Sequence, residues 1–315
     1  MEIRKESRLG AIDPRWQEQQ WRKFFDRFDI IDAMGVEYYL WVQDLLPDND
    51  RVIIHIMTPL AHYETSPYTQ CHPARDYRFL LLFEEAVEEV AALPFKSIET
   101  LVLPHLYDFA DTPQLEIKSH LSPPFHIAIF TRLDPSKPIV PLLESFYELR
   151  KDLDVHLHIF GRGEQAVYNS LIDRLGLRNW VTFEGHTTSL ELAVKDKRIA
   201  LAWGLYYGSP GGYAGIELAA LGVPVLLWNL SRRADEDVFK TWDGLVRVFS
   251  TPEDLARATG DLLRNKATLL EFAASQQKLV RERYDVRRHI SVLEKAYENL
   301  VARRPLSAES PSDDR

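Results

Sequence analysis

The sequence predicts an α/β protein whose later half is a doubly wound parallel sheet. Three observations carry this. From about residue 125 onward, short apolar runs alternate with longer helical patterns, as they do where each strand returns through a right-handed helical crossover. The runs are mostly apolar rather than alternating, as in Phe125-His-Ile-Ala-Ile-Phe130, which fits strands covered on both faces. Finally, 315 residues with 45% hydrophobic and 27% charged side chains suffice for two folded cores.

Taken in order, residues 14–28 read as a helix, with Trp16, Trp21, Phe24, Phe25 and Phe28 on one side and Asp13 as N-cap ahead of Pro14. Runs at 28–31, 38–42 and 52–56 read as buried strands, 76–92 as a helix and 101–103 as a further strand. The polar, proline-bearing stretch 107–124 reads as an interdomain linker. Strands then follow at 125–130, 155–160, 180–183, 199–203 and 223–228. Between them lie helices at 139–150, 165–175, 189–194 and 213–221. Helices at 252–264, 268–284 and 286–302 complete the pattern, and the Ser-, Pro- and Asp-rich residues 304–315 read as a disordered tail. The expected domains are therefore 1–120 and 121–283, with 284–303 a helix crossing back to the first.

Net charge is −9, which repels phosphate backbones and makes nucleic acid a poor partner. The single cysteine, Cys71, and a charged start without an apolar signal core read as a protein of a reducing compartment, the cytoplasm. No run approaches the roughly 20 apolar residues of a membrane span, which leaves peripheral contact as the open membrane association.

Three segments carry residues suited to chemistry, each at a strand end. Phe130-Thr-Arg-Leu-Asp-Pro-Ser-Lys-Pro138 delivers Arg132 and Lys137, a planar fork and a point charge that together suit a diphosphate; solvated loop cations would look the same. Phe160-Gly-Arg-Gly-Glu164 places Gly161 and Gly163 where backbone amides can approach an anion, or where a tight turn simply needs glycine. Gly208-Ser-Pro-Gly-Gly-Tyr-Ala-Gly-Ile-Glu217 runs a glycine-rich loop into a helix. Amides near Gly211, Gly212 and Tyr213 suit phosphate, and the Glu217 carboxylate suits paired ribose hydroxyls, against the alternative of a capping or surface carboxylate.

The order of these segments, with Val181-Thr-Phe-Glu-Gly-His186 between the second and third, resembles the C-terminal domain of the group 1 (family 4 type) retaining GT-B glycosyltransferases. The resemblance spans about half the chain. It implies two Rossmann-like domains with parallel sheets, the N-terminal one shortened. It also implies a nucleotide-sugar donor as co-substrate without further cofactor, and sugar transfer to an unknown acceptor with retention. By the resemblance Arg132 and Lys137 hold the donor diphosphate, although Thr131 replaces a usual glycine; Gly161 and Gly163 match the donor-loop glycines, and Glu217 holds the donor ribose. With these cations and the helix dipole present, no metal is expected. The position beside the transferred sugar, usually a second Glu, is Ser209 here. Phe28-Asp-Ile-Ile-Asp-Ala-Met-Gly35 and Leu101-Val-Leu-Pro-His-Leu-Tyr-Asp-Phe109 resemble the middle and the close of the acceptor-side domain. Earlier βα units are then missing, so that domain is either minimal or completed by a partner chain or homo-oligomer. The alternative reading is a non-catalytic, glycosyltransferase-like subunit paired with another chain.

His55, His62, Cys71 and His72 with Glu64 have metal-ligand chemistry but no standard zinc spacing, and are read as core or cleft histidines. The family often has an N-domain histidine near the sugar; His55 and His62 are the candidates for that catalytic position.

Overall fold

The computed structural model describes residues 14–46, 48–56, 66–82, 86–206, 212–230 and 247–307. The chain divides into two compact units, one running to Leu103 and resuming at Ile290, the other being Pro104–His289.

In the first unit the elements are α1 (Pro14–Phe25), β1 (Ile31–Ala33), α2 (Val36–Val42), β2 (Val52–Ile56), β3 (Asp76–Leu81), α3 (Ala86–Ala91) and β4 (Ser97–Val102). The strands form a four-stranded sheet in the order β1-β2-β3-β4, parallel throughout. One face carries Val52, Ile54, Ile56, Tyr77, Phe79 and Leu81, which pack with Val36 and Tyr39 of α2 and Ala86 and Val90 of α3. Two sequence expectations are corrected here. Residues 38–42 are helical: Val36 and Tyr39 are buried and Tyr38 and Trp41 exposed, the three-residue spacing of a helix face hidden in a β-prone composition. Residues 76–92 are a strand followed by a short helix, because Tyr77, Phe79 and Leu81 alternate into the core.

The second unit follows the expected alternation closely. Its elements are β5 (Phe125–Phe130), α4 (Val140–Arg150), β6 (Val155–Phe160), α5 (Ala166–Arg174), β7 (Val181–Gly185), α6 (Leu190–Asp196), β8 (Ile199–Tyr206), α7 (Gly212–Leu221), β9 (Val225–Asn229), β10 (Val248–Phe249), α8 (Pro252–Arg264) and α9 (Lys266–Tyr284). The six-stranded parallel sheet has the order β10-β9-β8-β5-β6-β7. Helix starts are chemically marked: Thr251 accepts from the Asp254 amide ahead of Pro252, and Asn265 accepts from the Thr268 amide. Gly222, at φ +91°, ends α7. The stretch 107–124 is part of this unit, not a linker, since Phe109, Ile117 and Leu121 are buried in its core and the Leu115 amide donates to Leu221 O at 2.8 Å.

Strands β5 to β7 carry a polar ladder within this apolar sheet. His126 Nδ1 lies 2.9 Å from His158 Nε2, His158 Nδ1 lies 2.7 Å from Glu184, and Lys197 Nζ meets the other Glu184 oxygen at 2.8 Å.

The last helix, α10 (Val286–Val301), is counted with the first unit from Ile290 onward. There Ala296, Asn299 and Leu300 are buried and the Tyr297 hydroxyl bonds Asp32 of β1. The expected disorder from residue 304 is also corrected: Leu306 is buried, its amide donates to Glu99 at 3.0 Å, and the Arg304 amide donates to Asn299 O at 2.8 Å. Residues 308–315 lie outside the described residues.

Candidate functional site

A doubly wound sheet has one place where successive connections leave in opposite directions, and the crevice beyond the strand ends there is open to a ligand. In the second unit it lies between β5 and β8, because β5, β6 and β7 proceed one way and β8, β9 and β10 the other. Arg132 and Lys137 lie in the loop leaving β5, Gly161 and Gly163 in the loop leaving β6, and Tyr213 and Glu217 on α7, which follows β8. The candidates thus come together at one edge of one sheet.

The loop after β5 is built by Asp134, whose carboxylate accepts from the Ser136 amide at 2.9 Å while its carbonyl accepts from the Lys137 amide at 2.9 Å. Its side chain is 3.4 Å from Arg132, itself exposed. Burial, then the neighbouring Arg132 charge, lowers the Lys137 ammonium to about 8, with Asp134 opposing. An ammonium so placed is charged at neutral pH and gains from an added anion.

The glycines have a steric reason. The Thr131 amide donates to Phe160 O at 3.0 Å, Leu133 donates to Arg162 O at 2.8 Å and Glu164 donates back to Leu133 O at 3.2 Å. The loops after β5 and β6 are therefore zipped together. A Cβ on Gly161 would lie 1.8 Å from Thr131 O, and one on Gly163 2.0 Å from Leu133 O. Both positions need glycine so that the cation-bearing loop can be held this closely.

Glu217 is half-buried on α7, and burial raises its carboxyl above the ordinary range while a hydrogen bond with the Tyr107 side chain lowers it. The C-terminus of α7 is secured by α9: Gln277 and Arg281 donate to Ala220 O at 2.8 and 3.0 Å, and Arg281 also reaches Thr112 O at 2.9 Å. Tyr213 in the first turn is exposed, its ring 4.7 Å from that of His105. The sequence reading did not single out His105 and Tyr107. Their signal was the two-residue spacing in Pro104-His-Leu-Tyr107, obscured by the surrounding polar, proline-bearing residues.

His55 is elsewhere, on β2 of the first unit, its imidazole 2.9 Å from Asp32, which also receives the Tyr297 hydroxyl of α10. It serves there to join sheet and helix. His62, Ser209 and Gly211 lie outside the described residues. Cys71 is buried, which pushes its thiol up to about 12 and makes it a packing residue. Among the described residues no group of three or more His, Cys, Asp or Glu side chains is placed to hold a metal ion. No described helix is long and apolar enough to cross a membrane.

Residues 124–265, which contain this site, match the family model of the glycosyl transferases group 1. This segment is a group 1 glycosyl transferase domain. No curated protein matches the chain in sequence. Among solved structures, the chain is similar to TarM of S. aureus in complex with fondaparinux, alpha-GlcNAc-glycerol and UDP: TM-score 0.58, 17% identity, 83% of this chain and 57% of that one. Sucrose-phosphate synthase of Thermosynechococcus elongatus gives TM-score 0.68 at 15% identity over 95% of this chain and 82% of that one. HepE of Anabaena in complex with UDP and glucose gives 0.65 at 15% identity over 90% and 81%. The chain therefore spans little more than half of TarM and most of the other two. At these identities the likeness fixes the fold, GT-B with two parallel sheets, with the group 1 domain in the second unit.

Proposed function

We propose that the protein transfers a sugar from a nucleotide-sugar donor to an acceptor, and that the donor is held in the second unit. The observation that carries this is the placement of the Arg132/Lys137 loop after β5 and of Glu217 on the helix after β8, the two strands that flank the switch point of the segment matched by the group 1 glycosyl transferase model. Lys137, Arg132 and the amides at the start of α7 face the diphosphate, and the Glu217 carboxylate accepts from the ribose hydroxyls. As the bond between the sugar and the diphosphate breaks, negative charge grows on the departing diphosphate. Fixed cations and the positive end of α7 lower the energy of that state without reorganising. They take the part a metal ion plays elsewhere, so transfer proceeds without one, and the family resemblance gives retention of configuration.

UDP is the first nucleotide to try, because the similar TarM and HepE structures hold it. The test is turnover: release of UDP from UDP-sugars by the purified chain, with metal and with chelator. Arg132→Ala lowers kcat tenfold or more, on the order of the effect of one charged donor, and chelator leaves the rate unchanged. Turnover unaffected by Arg132→Ala contradicts the assignment.

Ser209 at the sugar-proximal position favours a second reading, a glycosyltransferase-like subunit that binds nucleotide and works through a partner chain. Nucleotide binding without any turnover, regained when a partner is added, selects that reading.

A further inference from the structure

Beside α7 runs a segment that lies outside the family match and to which the sequence reading gave no part in the nucleotide site. Tyr213 and Glu217 are four residues apart on one helix face, a rise of about 6 Å. His105 and Tyr107 are two residues apart, about 6.6 Å when extended. The two spacings match, and the neighbours follow: the His105 ring lies 4.7 Å from that of Tyr213, and the Tyr107 hydroxyl is close enough to the Glu217 carboxylate to interact with it. The segment lies along the helix as a rail.

The rail is fixed from behind. The Tyr107 amide donates to Tyr284 O at 2.8 Å and its carbonyl accepts from Val286 at 3.0 Å, so its backbone is clamped at the junction of α9 and α10. Its ring packs 4.8 Å from that of Phe109, over which the Arg281 guanidinium sits at 5.6 Å. Arg281 joins Thr112 O to Ala220 O, tying this segment to the helix that carries Glu217.

At the other end of the rail, His105 Nδ1 is buried and has no hydrogen-bond partner among the described residues. Burial lowers its pKa, which disfavours the charged ring. A buried polar nitrogen left unpaired is unfavourable, and a ligand oxygen would satisfy it.

We propose that the segment from His105 to Tyr107 is a second wall of the nucleotide site, with Tyr107 a positioning residue for the Glu217 carboxylate and His105 a donor, through Nδ1–H, to the diphosphate end of the ligand. A carboxylate offers about four acceptor positions. Tyr107 occupies one and fixes the rotamer, which leaves the others aimed at the two ribose hydroxyls. The proposal rests on the donor-site reading above.

The experiment is calorimetric titration of the full chain with UDP, GDP and ADP and with their 2′-deoxy counterparts, between pH 5 and 8. Tyr107→Phe keeps the ring and removes only the hydroxyl. It should bind the nucleotide that wild type binds about tenfold more weakly, and should lose most of the preference for ribose over deoxyribose. The pH at which affinity falls on acidification should move up, because the Tyr107 interaction that opposes the burial-driven rise of the Glu217 pKa is gone. His105→Gln should weaken binding while keeping both the ribose preference and the pH midpoint, and it carries the test if Tyr107→Phe fails to fold. Wild type that binds none of the six compounds overturns the donor reading and this proposal with it. Wild type that binds, with Tyr107→Phe unchanged in ribose preference and midpoint or His105→Gln unchanged in affinity, overturns the proposal alone.

Discussion

In the proposed donor site, Glu217 and Lys137 would set opposite limits on binding. Glu217 must be ionised to accept from ribose hydroxyls, so affinity falls as pH drops through its raised pKa. Lys137 must be protonated to meet a diphosphate, so affinity falls again as pH rises through about 8. Binding in this window takes up protons at the lysine, visible as a calorimetric enthalpy that varies with the ionisation heat of the buffer. Lys137→Met is expected to cost about 10- to 100-fold in UDP affinity at pH 7, the worth of one charge-assisted contact, and to abolish the alkaline limb; a limb that persists in the variant assigns it to another group. Arg132, Lys137 and Glu217 could be picked out of the sequence as candidates because they stand at strand–turn–helix junctions in the order of the resembling family's motifs. Tyr107 and His105 were not, since tyrosine and histidine in a proline-bearing stretch look like ordinary loop residues until α7 is seen beside them.

At the scale of elements, the sequence succeeds where burial is two-sided. Residues 125–130 and 155–160 are mostly apolar runs, interrupted by His126 and by His156 and His158, and β5 and β6 occupy them end to end. It fails where a short run is ambiguous in period: Tyr38 to Val42 has β-prone composition, yet only one turn's worth of alternation separates a strand from α2. The glycine-bearing loops were legible as turns, but their cause, the zipping of residues 131–133 onto 161–164, is a tertiary contact. It yields a prediction at this scale. Gly163, at φ +137° with no room for a Cβ, should not accept alanine: Gly163→Ala is expected to cost about 2–4 kcal/mol in urea unfolding and to weaken nucleotide binding by displacing the Arg132 loop. The histidine ladder gives a second. His158 is lowered to about 4, first by burial and against the pull of Glu184, and His126 and His156 are lowered in the same sense. Between roughly pH 6.5 and 4 the unfolded chain then binds more protons than the folded one, so stability falls as pH falls, by about 3 kcal/mol for His158. Unfolding free energies at pH 7, 6, 5 and 4.5 should show this slope, and His158→Gln should flatten it.

At the scale of the whole molecule, the parallel α/β architecture and its second sheet followed from alternation alone, whereas the division of the chain did not. Composition placed the break in the proline-bearing stretch; burial of Phe109, Ile117 and Leu121 places that stretch inside the second unit, with the break at Leu103. That shift matters to function, because it brings His105 and Tyr107 into the unit that carries Glu217. The central claim is that this unit binds a nucleoside diphosphate through its ribose and diphosphate. The most direct measurement is calorimetric titration of wild type and Glu217→Ala with UDP, GDP and ADP at pH 7, with chelator present. The account predicts saturable binding of one of the three by wild type and at least a tenfold loss in Glu217→Ala. Binding of none, or equal binding by both proteins, contradicts it.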